Sequence, residues 1–176
     1  MLSIFRKRRF GPQHYAAYNA IVAQSRQPRF YEDWGVPDNV TGRFDMISLH
    51  MALVFRQLRN RSDRASKFSQ DLFDLFFLDM DRSLREAGTG DISIPKRIQK
   101  MGALFYGLLE KLNVALDSND NDEVTAILRR NLVDKGTGDA ELRQFSDYVA
   151  AANARLAGIN VESLLKGEVE FPEVAA

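Results

Sequence analysis

Apolar residues recur three to four positions apart along most of the chain, which is the spacing of one helix face. The segment GPQHYAAYNAIVAQSRQ has this spacing, with Pro12 where the first turn of a helix accepts proline. The segment from Arg43 to Arg59 is apolar on nearly every side, which is typical of a helix at the centre of a bundle. No alternating strand pattern of useful length occurs. The pattern therefore predicts an all-α bundle of about six to seven helices.

Capping residues bound the remaining helices. One long helix is predicted from about Ser66 to Ala87, with Gly88 where a left-handed C-terminal cap is favoured. The next helix has Pro95 near its first turn, and NDEVTAILRRNLV then begins after a cap at Asn119 or Asp120. DAELRQFSDYVAAANARLAG is expected to end at its last glycine, before a short VESLLKG segment. Between the first two helices, PRFYEDWGVPDNVTG is predicted to be irregular with one short helical turn.

Length and composition predict a single domain. The 176 residues fall within the range of about 100 to 200 usual for one domain. We divide them into a basic arm (1–10), a helical domain (11–167) and an acidic tail (168–176). No apolar run approaches the roughly 18 to 20 residues of a membrane span, and MLSIFRKRRF lacks the apolar core of a secretory signal. The chain contains no cysteine, which excludes disulfides and thiol chemistry, so we expect a cytoplasmic protein, at most peripheral on the inner membrane.

The zero net charge hides an asymmetry between the two halves. Residues 1–70 carry 12 Lys/Arg and 5 Asp/Glu, whereas residues 71–176 carry 12 and 19. The basic cluster of the arm favours an anionic partner, either a membrane surface or RNA phosphates. A solvated arm without a partner explains the composition equally well. The residues expected to make such a contact are Arg6, Lys7, Arg8 and Arg9.

Two acids in LFDLFFLDMDRSLREAGTGD resemble a paired-carboxylate or metal site. Residues two apart on a helix do not face each other, so Asp79 and Asp81 are predicted to lie on opposite flanks. Asp81 and Arg85 share one flank, and Asp79 shares the other with Arg82 and Glu86. Ion pairs or a recognition face are therefore favoured over catalysis, and no metal or other cofactor is expected.

A glycine-containing motif occurs twice, as AGTGD and as KGTGD. Phosphate-binding glycine loops need a strand before the loop, and both copies follow predicted helices. We interpret Gly88 or Gly136 as ending one helix and Asp91 or Asp139 as capping the next.

The two histidines and the aromatic segment are predicted to be structural. His14 and His50 belong to no nucleophile motif, and His50 sits in the most apolar helix, which favours a hydrogen-bonded core histidine. In RFYEDWG, the residues Phe30, Tyr31 and Trp34 could stack on bases with Arg26 and Arg29 nearby, but Phe30 and Trp34 are expected to pin the loop onto the bundle.

Two glycines inside the helix MGALFYGLLEKL need a reason. Gly102 and Gly107 each lower helix stability by roughly 1 kcal/mol relative to alanine. Close packing between helices, or a groove for another apolar helix, would supply that reason.

Several motifs resemble a known family. QSRQPRFYEDWGVPDNVTGRFDMISLHMALVFRQLR and LFDLFFLDMDRSLREAGTGDISIPKRIQKMGALFYG contain Q-x-R-x-P-x-F-Y, G-V-P-D…G-R-F-D and D-M-D-x-x-L-R-E-x-G-x-G-D, in that order. From about Tyr15 to Gly107 the chain resembles the ubiquinol-cytochrome c chaperone family, whose mitochondrial members assist assembly of the cytochrome bc1 complex. The chain lacks an organelle-targeting extension, so it resembles a bacterial member.

This resemblance implies a non-enzymatic assembly chaperone that holds newly made cytochrome b. It leaves room for a second assembly factor and for contact with the inner membrane surface or a ribosome, and it implies no DNA partner. A small RNA- or ribosome-binding helical protein that uses the basic arm is the alternative, and a metal-dependent hydrolase built on Asp79 and Asp81 is a remote third. The residues expected to contact a client or partner are Asp79, Asp81, Arg82, Arg85, Glu86, Phe105 and Tyr106.

Overall fold

A computed structural model describes residues 10–174, which form eight helices and no strand. Arg6 to Arg9, the predicted contact residues of the basic arm, lie outside the described residues. The helices are α1 (Pro12–Ser25), α2 (Pro28–Glu32), α3 (Val40–Leu58), α4 (Asp63–Glu86), α5 (Ile94–Asp117), α6 (Asn121–Asn131), α7 (Asp139–Ala157) and α8 (Val161–Leu165).

The predicted all-α bundle is confirmed, with small differences at the helix ends. The count exceeds the predicted six to seven because α2 and α8 are helices of only five residues, and α2 is the short turn expected in the aromatic segment. The helix α4 begins at Asp63 rather than Ser66, since the Ser62 hydroxyl accepts a hydrogen bond from the Ala65 N–H. Asp120, one of the two predicted caps of α6, accepts from the Glu123 N–H.

The helix α3 forms the centre of the bundle, as its pattern predicted. It packs against α1, α4, α5 and α7, so few of its faces reach solvent. Each apolar side chain buried in this way stabilises the fold by roughly 1.5–3 kcal/mol. Its fully enclosed side chains include Met46, Leu49, Met51, Leu53 and Leu58.

Both histidines lie in the core and are hydrogen-bonded. His50 is fully buried, and its Nδ1 lies 2.8 Å from the carbonyl oxygen of Met46. A carbonyl can only accept, so Nδ1 carries the proton and Nε2 accepts from the hydroxyl of Tyr148 at 2.7 Å. Burial lowers the pKa of His50 to about 4, which keeps the ring neutral. His14 is also buried, and its Nδ1 accepts from the Gly11 N–H.

Residues of the acidic tail pack against the bundle. The chain turns at Gly167, whose φ is +87°, and a Cβ there would lie 2.5 Å from the Gln13 carbonyl oxygen. Beyond this turn Val169 is buried, and the ring of Phe171 lies edge-on to His50 with centroids 5.0 Å apart. The Pro172 carbonyl accepts a hydrogen bond from the side chain of Gln24. Part of the predicted tail therefore completes the core around His50.

The first copy of the glycine motif marks a helix end, the second does not, and neither aspartate caps a helix. Gly88 has φ +78° and follows the C-cap of α4, which is the predicted left-handed position. Gly136 does not end a helix, because α6 ends at Asn131 with Leu132 as its C-cap, so that part of the prediction is wrong. Asp91 accepts from Arg85 at 2.6 Å, and Asp139 is the first residue of α7, paired with Arg129. Neither side chain bonds a free N–H at the start of a helix, so that part of the prediction is wrong.

Candidate functional site

The aromatic segment around α2 is anchored on α7. Trp34 is buried and stacks on Phe145 with centroids 5.3 Å apart, and its Nε1–H donates to the Gln144 side chain. Phe30 is fully enclosed, and the hydroxyl of half-buried Tyr31 donates to the Ser25 carbonyl at 2.7 Å. These rings hold the loop in place, as the packing interpretation predicted. They offer no stacked platform for bases.

The two acids of DMD lie on opposite flanks of an unbroken helix α4. Arg85 donates to both oxygens of Asp81, with a shortest distance of 2.8 Å, which is the ion pair predicted for that flank. Asp79 instead accepts from the buried hydroxyl of Tyr18 at 2.8 Å. Burial and this hydrogen bond raise the pKa of Tyr18 above its usual value. The predicted pairing of Asp79 with Arg82 is wrong, since Asp79 bonds Tyr18 and no ion pair joins it to Arg82.

The other predicted contact residues differ in exposure. Arg82 and Glu86 are exposed and form no ion pair with another residue between 10 and 174. Tyr106 is 51% exposed. Phe105 is fully enclosed among the rings of Phe55 and Phe73, because it points into the bundle from the inner face of α5. We therefore remove Phe105 from the set of residues that can touch a partner.

Aromatic rings line an open face between α4 and α5. Phe73 and Phe77 stack with centroids 4.4 Å apart, and the ring of Tyr106 lies 5.2 Å from Phe73. A Cβ at Gly102 would only reach the edge of Phe77 at 4.0 Å, and one at Gly107 would meet nothing within 4 Å. The predicted close packing of helices over these glycines is wrong. We call Phe73, Phe77, Gly102 and Tyr106 the aromatic face, and a groove for an apolar partner there stays a prediction.

A cavity lies beside this face, where the start of α3 meets the end of α4 and the first half of α5. It has a volume of about 370 Å³ and is open to solvent. Val40 and Leu104 are about half exposed within it. We call this cavity the α3 groove. Its apolar walls are formed by Val40, Phe44, Leu84, Met101 and Leu104.

One carboxylate lies inside the α3 groove without a partner. Asp45 is partly buried, and its side chain forms no hydrogen bond or ion pair with another residue between 10 and 174. Arg97 and Lys100 also line the groove, but neither pairs with Asp45. Burial raises the pKa of Asp45 to about 7. A carboxyl group whose charge is disfavoured in an apolar cleft is a candidate for function.

A second cavity of about 130 Å³ adjoins the α3 groove and shares Val40 and Phe44 with it. Its walls include Arg26, Tyr31 and Asp79. We call it the Tyr31 pocket. Together the two cavities follow the N-terminal half of α3 along one side of the bundle.

Comparison with known proteins identifies the family. The model of the ubiquinol-cytochrome c chaperone family matches residues 32–171, which is more than half of the chain. This chain belongs to that family. It is also similar to the crystal structure of the Cbp3 homolog from Brucella abortus, with 34% sequence identity and a TM-score of 0.84. The match covers 92% of this chain and 90% of that chain. A search of curated proteins found no match.

Membership of the chaperone family extends beyond the resemblance seen in the sequence. That resemblance ended near Gly107, whereas the family model continues through α6, α7 and α8 to residue 171. The expectation of a bacterial member agrees with the match to a bacterial homolog. Within residues 10–174, no helix combines the length and apolar character needed to cross a bilayer. The same residues contain no group of three or more acids and histidines placed to hold a metal ion.

The motifs that resembled the chaperone family meet around the two cavities. Arg26 and Tyr31 come from the first motif, Phe44 and Asp45 from the second, and Asp79 from the third. Sequence reasoning missed the groove because three separate helices form it. One signal was available, since Asp45 is the only acid in the apolar segment from Arg43 to Arg59.

Proposed function

We propose that this chain is a non-enzymatic chaperone that binds newly made cytochrome b and assists assembly of the cytochrome bc1 complex. Membership of the ubiquinol-cytochrome c chaperone family and the similarity to the Cbp3 homolog support a role in assembly of this complex. The finer proposal, that cytochrome b is the client, rests on the chemistry of the surface.

The observation that carries this proposal is the continuity of the α3 groove with the aromatic face. Phe44 in the wall of the groove lies edge-on to Phe77 of the aromatic face, with ring centroids 6.3 Å apart. Leu104 of the groove and Tyr106 of the face project from different sides of α5, and each is about half exposed. Soluble proteins rarely leave large adjoining apolar areas open unless another molecule covers them. A membrane protein before assembly exposes apolar segments that need such cover.

Charged residues of α4 border this apolar area. We propose that Asp81, Arg85, Arg82 and Glu86 contact polar parts of the client, with Asp79 held in place by Tyr18. The basic arm with Arg6, Lys7, Arg8 and Arg9 is proposed to place the chain at the cytoplasmic face of the inner membrane or at a ribosome. A second assembly factor would bind elsewhere on the bundle.

Capture of nascent protein tests the proposal. Tagged chain is recovered from its own organism after brief radioactive labelling and cross-linking, and labelled cytochrome b is expected to be enriched over other membrane proteins. Leu104→Ser should reduce this enrichment, because it removes apolar area from the groove. Val114→Ser is the matched control, since Val114 is 63% exposed on the same helix but does not line the groove.

Two outcomes bear on different parts of the proposal. Equal capture of cytochrome b by the two variants would show that a surface other than the groove holds the client. Recovery of ribosomal RNA without cytochrome b, with binding that falls steeply as salt is raised, would support the RNA-binding alternative instead.

A further inference from the structure

The α3 groove contains an acid with no partner among the described residues, and the family's role does not by itself explain it. A polar group in an apolar setting lowers stability unless it finds a partner, and most buried polar groups have one. Asp45 has none among residues 10–174, although it lies in the helix with the most apolar sequence of the chain. An apolar side chain in its place would pack against Phe44, Met101 and Leu104 without this penalty.

Three cations near the groove in sequence or in its lining do not serve as partners of Asp45. Arg43, two residues before Asp45, has its guanidinium 2.9 Å from the carboxylate of Asp38. Arg97 and Lys100 are exposed at the edge of the groove, where water solvates them, and the raised pKa of Asp45 has burial as its only cause. The carboxylate therefore remains available to a cation that enters the groove from outside.

Building on the proposed function, we propose that the α3 groove binds a client segment in which a lysine or arginine adjoins apolar residues, with the cation paired to Asp45. The apolar residues of the segment would lie against Val40, Leu84 and Leu104.

The shape and chemistry of the groove fit this occupant. Its volume of about 370 Å³ lies within the range of about 300–1,000 Å³ that is usual for binding clefts. Transmembrane segments carry an excess of Lys/Arg beside their apolar spans on the cytoplasmic side, so a membrane-protein client offers this combination. A charge-assisted hydrogen bond formed in an apolar cleft is stronger than one in water, which would favour such segments over purely apolar ones.

Substitution of Asp45 separates recognition from folding. Asp45→Asn keeps the shape of the side chain and removes its charge, and we expect at least about a tenfold loss in capture of cytochrome b. The free energy of unfolding should stay the same or rise, because an unpaired buried charge is removed. Asp134→Asn is the control, since it neutralises an exposed acid that does not line the groove and should leave capture unchanged.

A double-mutant cycle then tests the pair directly. Synthetic peptides covering the cytochrome b sequence are screened, and the tightest-binding one is remade with its basic residue changed to glutamine. We expect this change to weaken binding to the natural chain by about tenfold and to have little further effect on Asp45→Asn. Additive losses would overturn the inference, because they would show that the cation and Asp45 act independently.

The outcomes distinguish this inference from the proposed function. If the natural chain captures cytochrome b and Asp45→Asn captures it equally well, the proposed function stands and the inference is wrong. If the natural chain captures no cytochrome b, the proposed function fails and the inference with it. The first ten residues also combine apolar and basic side chains, so tighter Asp45-dependent binding of that peptide than of any client peptide would overturn the client as occupant.

Discussion

Two titratable residues of α3, five positions apart, differ in whether their polar atoms have hydrogen-bond partners. His50 is fully enclosed, but each ring nitrogen has a partner, so the neutral ring stabilises the contact between α3 and α7. Asp45 is less buried and has no partner among the described residues. The first is structural by this criterion. An acid in the position of the second is expected to lower stability, which is common for binding residues.

The raised pKa of Asp45 gives a pH-dependent prediction. Its folded pKa, about 7, exceeds the usual value for an aspartate, so its contribution to stability is present in acid and is lost as pH rises through 7. Asp45→Asn should therefore raise the free energy of unfolding at pH 8 by about 1–3 kcal/mol, allowing for partial exposure. The difference should vanish towards pH 4.

Urea unfolding of both proteins across this pH range is the measurement. A variant that is less stable than the natural chain at pH 8 would show that Asp45 has a stabilising partner in solution.

At the scale of elements, the helices were predictable and the cavities were not. Periodicity placed all the long helices because each one repeats its own local signal, and Gly88 and Asp120 marked boundaries by their caps. The side on which Asp81 and Arg85 pair also followed from helix geometry alone. Asp79 escaped prediction because its partner, Tyr18, lies 61 positions away in the sequence. The α3 groove escaped prediction for the same reason, since residues distant in the sequence form it where three helices converge.

One glycine of α5 offers a substitution that should stabilise the protein, whereas most substitutions destabilise it. Gly107→Ala should stabilise the chain by about 1 kcal/mol, because alanine is the better helix former and its Cβ would meet nothing within 4 Å. Thermal unfolding measures this effect. If Gly107→Ala also loses client capture, the missing side chain at Gly107 is needed for the client to bind. If capture is unchanged, the client contacts only the aromatic face and the groove.

Loss of the contact between Trp34 and α7 should change the free energy of unfolding by more than Gly107→Ala does. Trp34→Ala should lower the free energy of unfolding by about 3–5 kcal/mol, because it removes a buried ring that stacks on Phe145. Chemical denaturation of the variant is the measurement. The exposed pair Asp81 and Arg85 is the comparison, since its removal should change stability by only about 0–1 kcal/mol. Equal effects would contradict the anchoring role of Trp34.

At the scale of the whole molecule, the core network around His50 and the proposed recognition surfaces involve largely different residues and meet at Ser25, which lines the Tyr31 pocket and lies 3.2 Å from the His50 ring. The core network around His50 is closed by α7 and by Phe171. The α3 groove, the Tyr31 pocket and the aromatic face lie along the start of α3 and the surfaces of α4 and α5. This division explains how one small bundle can leave apolar area open without losing its fold, since the exposed residues are not those that close the core.

Removal of this chain from its own organism tests the central claim, a role in assembly of the cytochrome bc1 complex, most directly. Difference spectra and native gels of membranes would quantify the assembled complex, with another respiratory complex as the internal control. We predict that the amount of cytochrome bc1 complex falls sharply while the other complex stays unchanged. The natural chain should restore the complex, whereas Asp45→Asn should restore it only in part. A normal amount of assembled cytochrome bc1 complex in the absence of the chain would contradict the account.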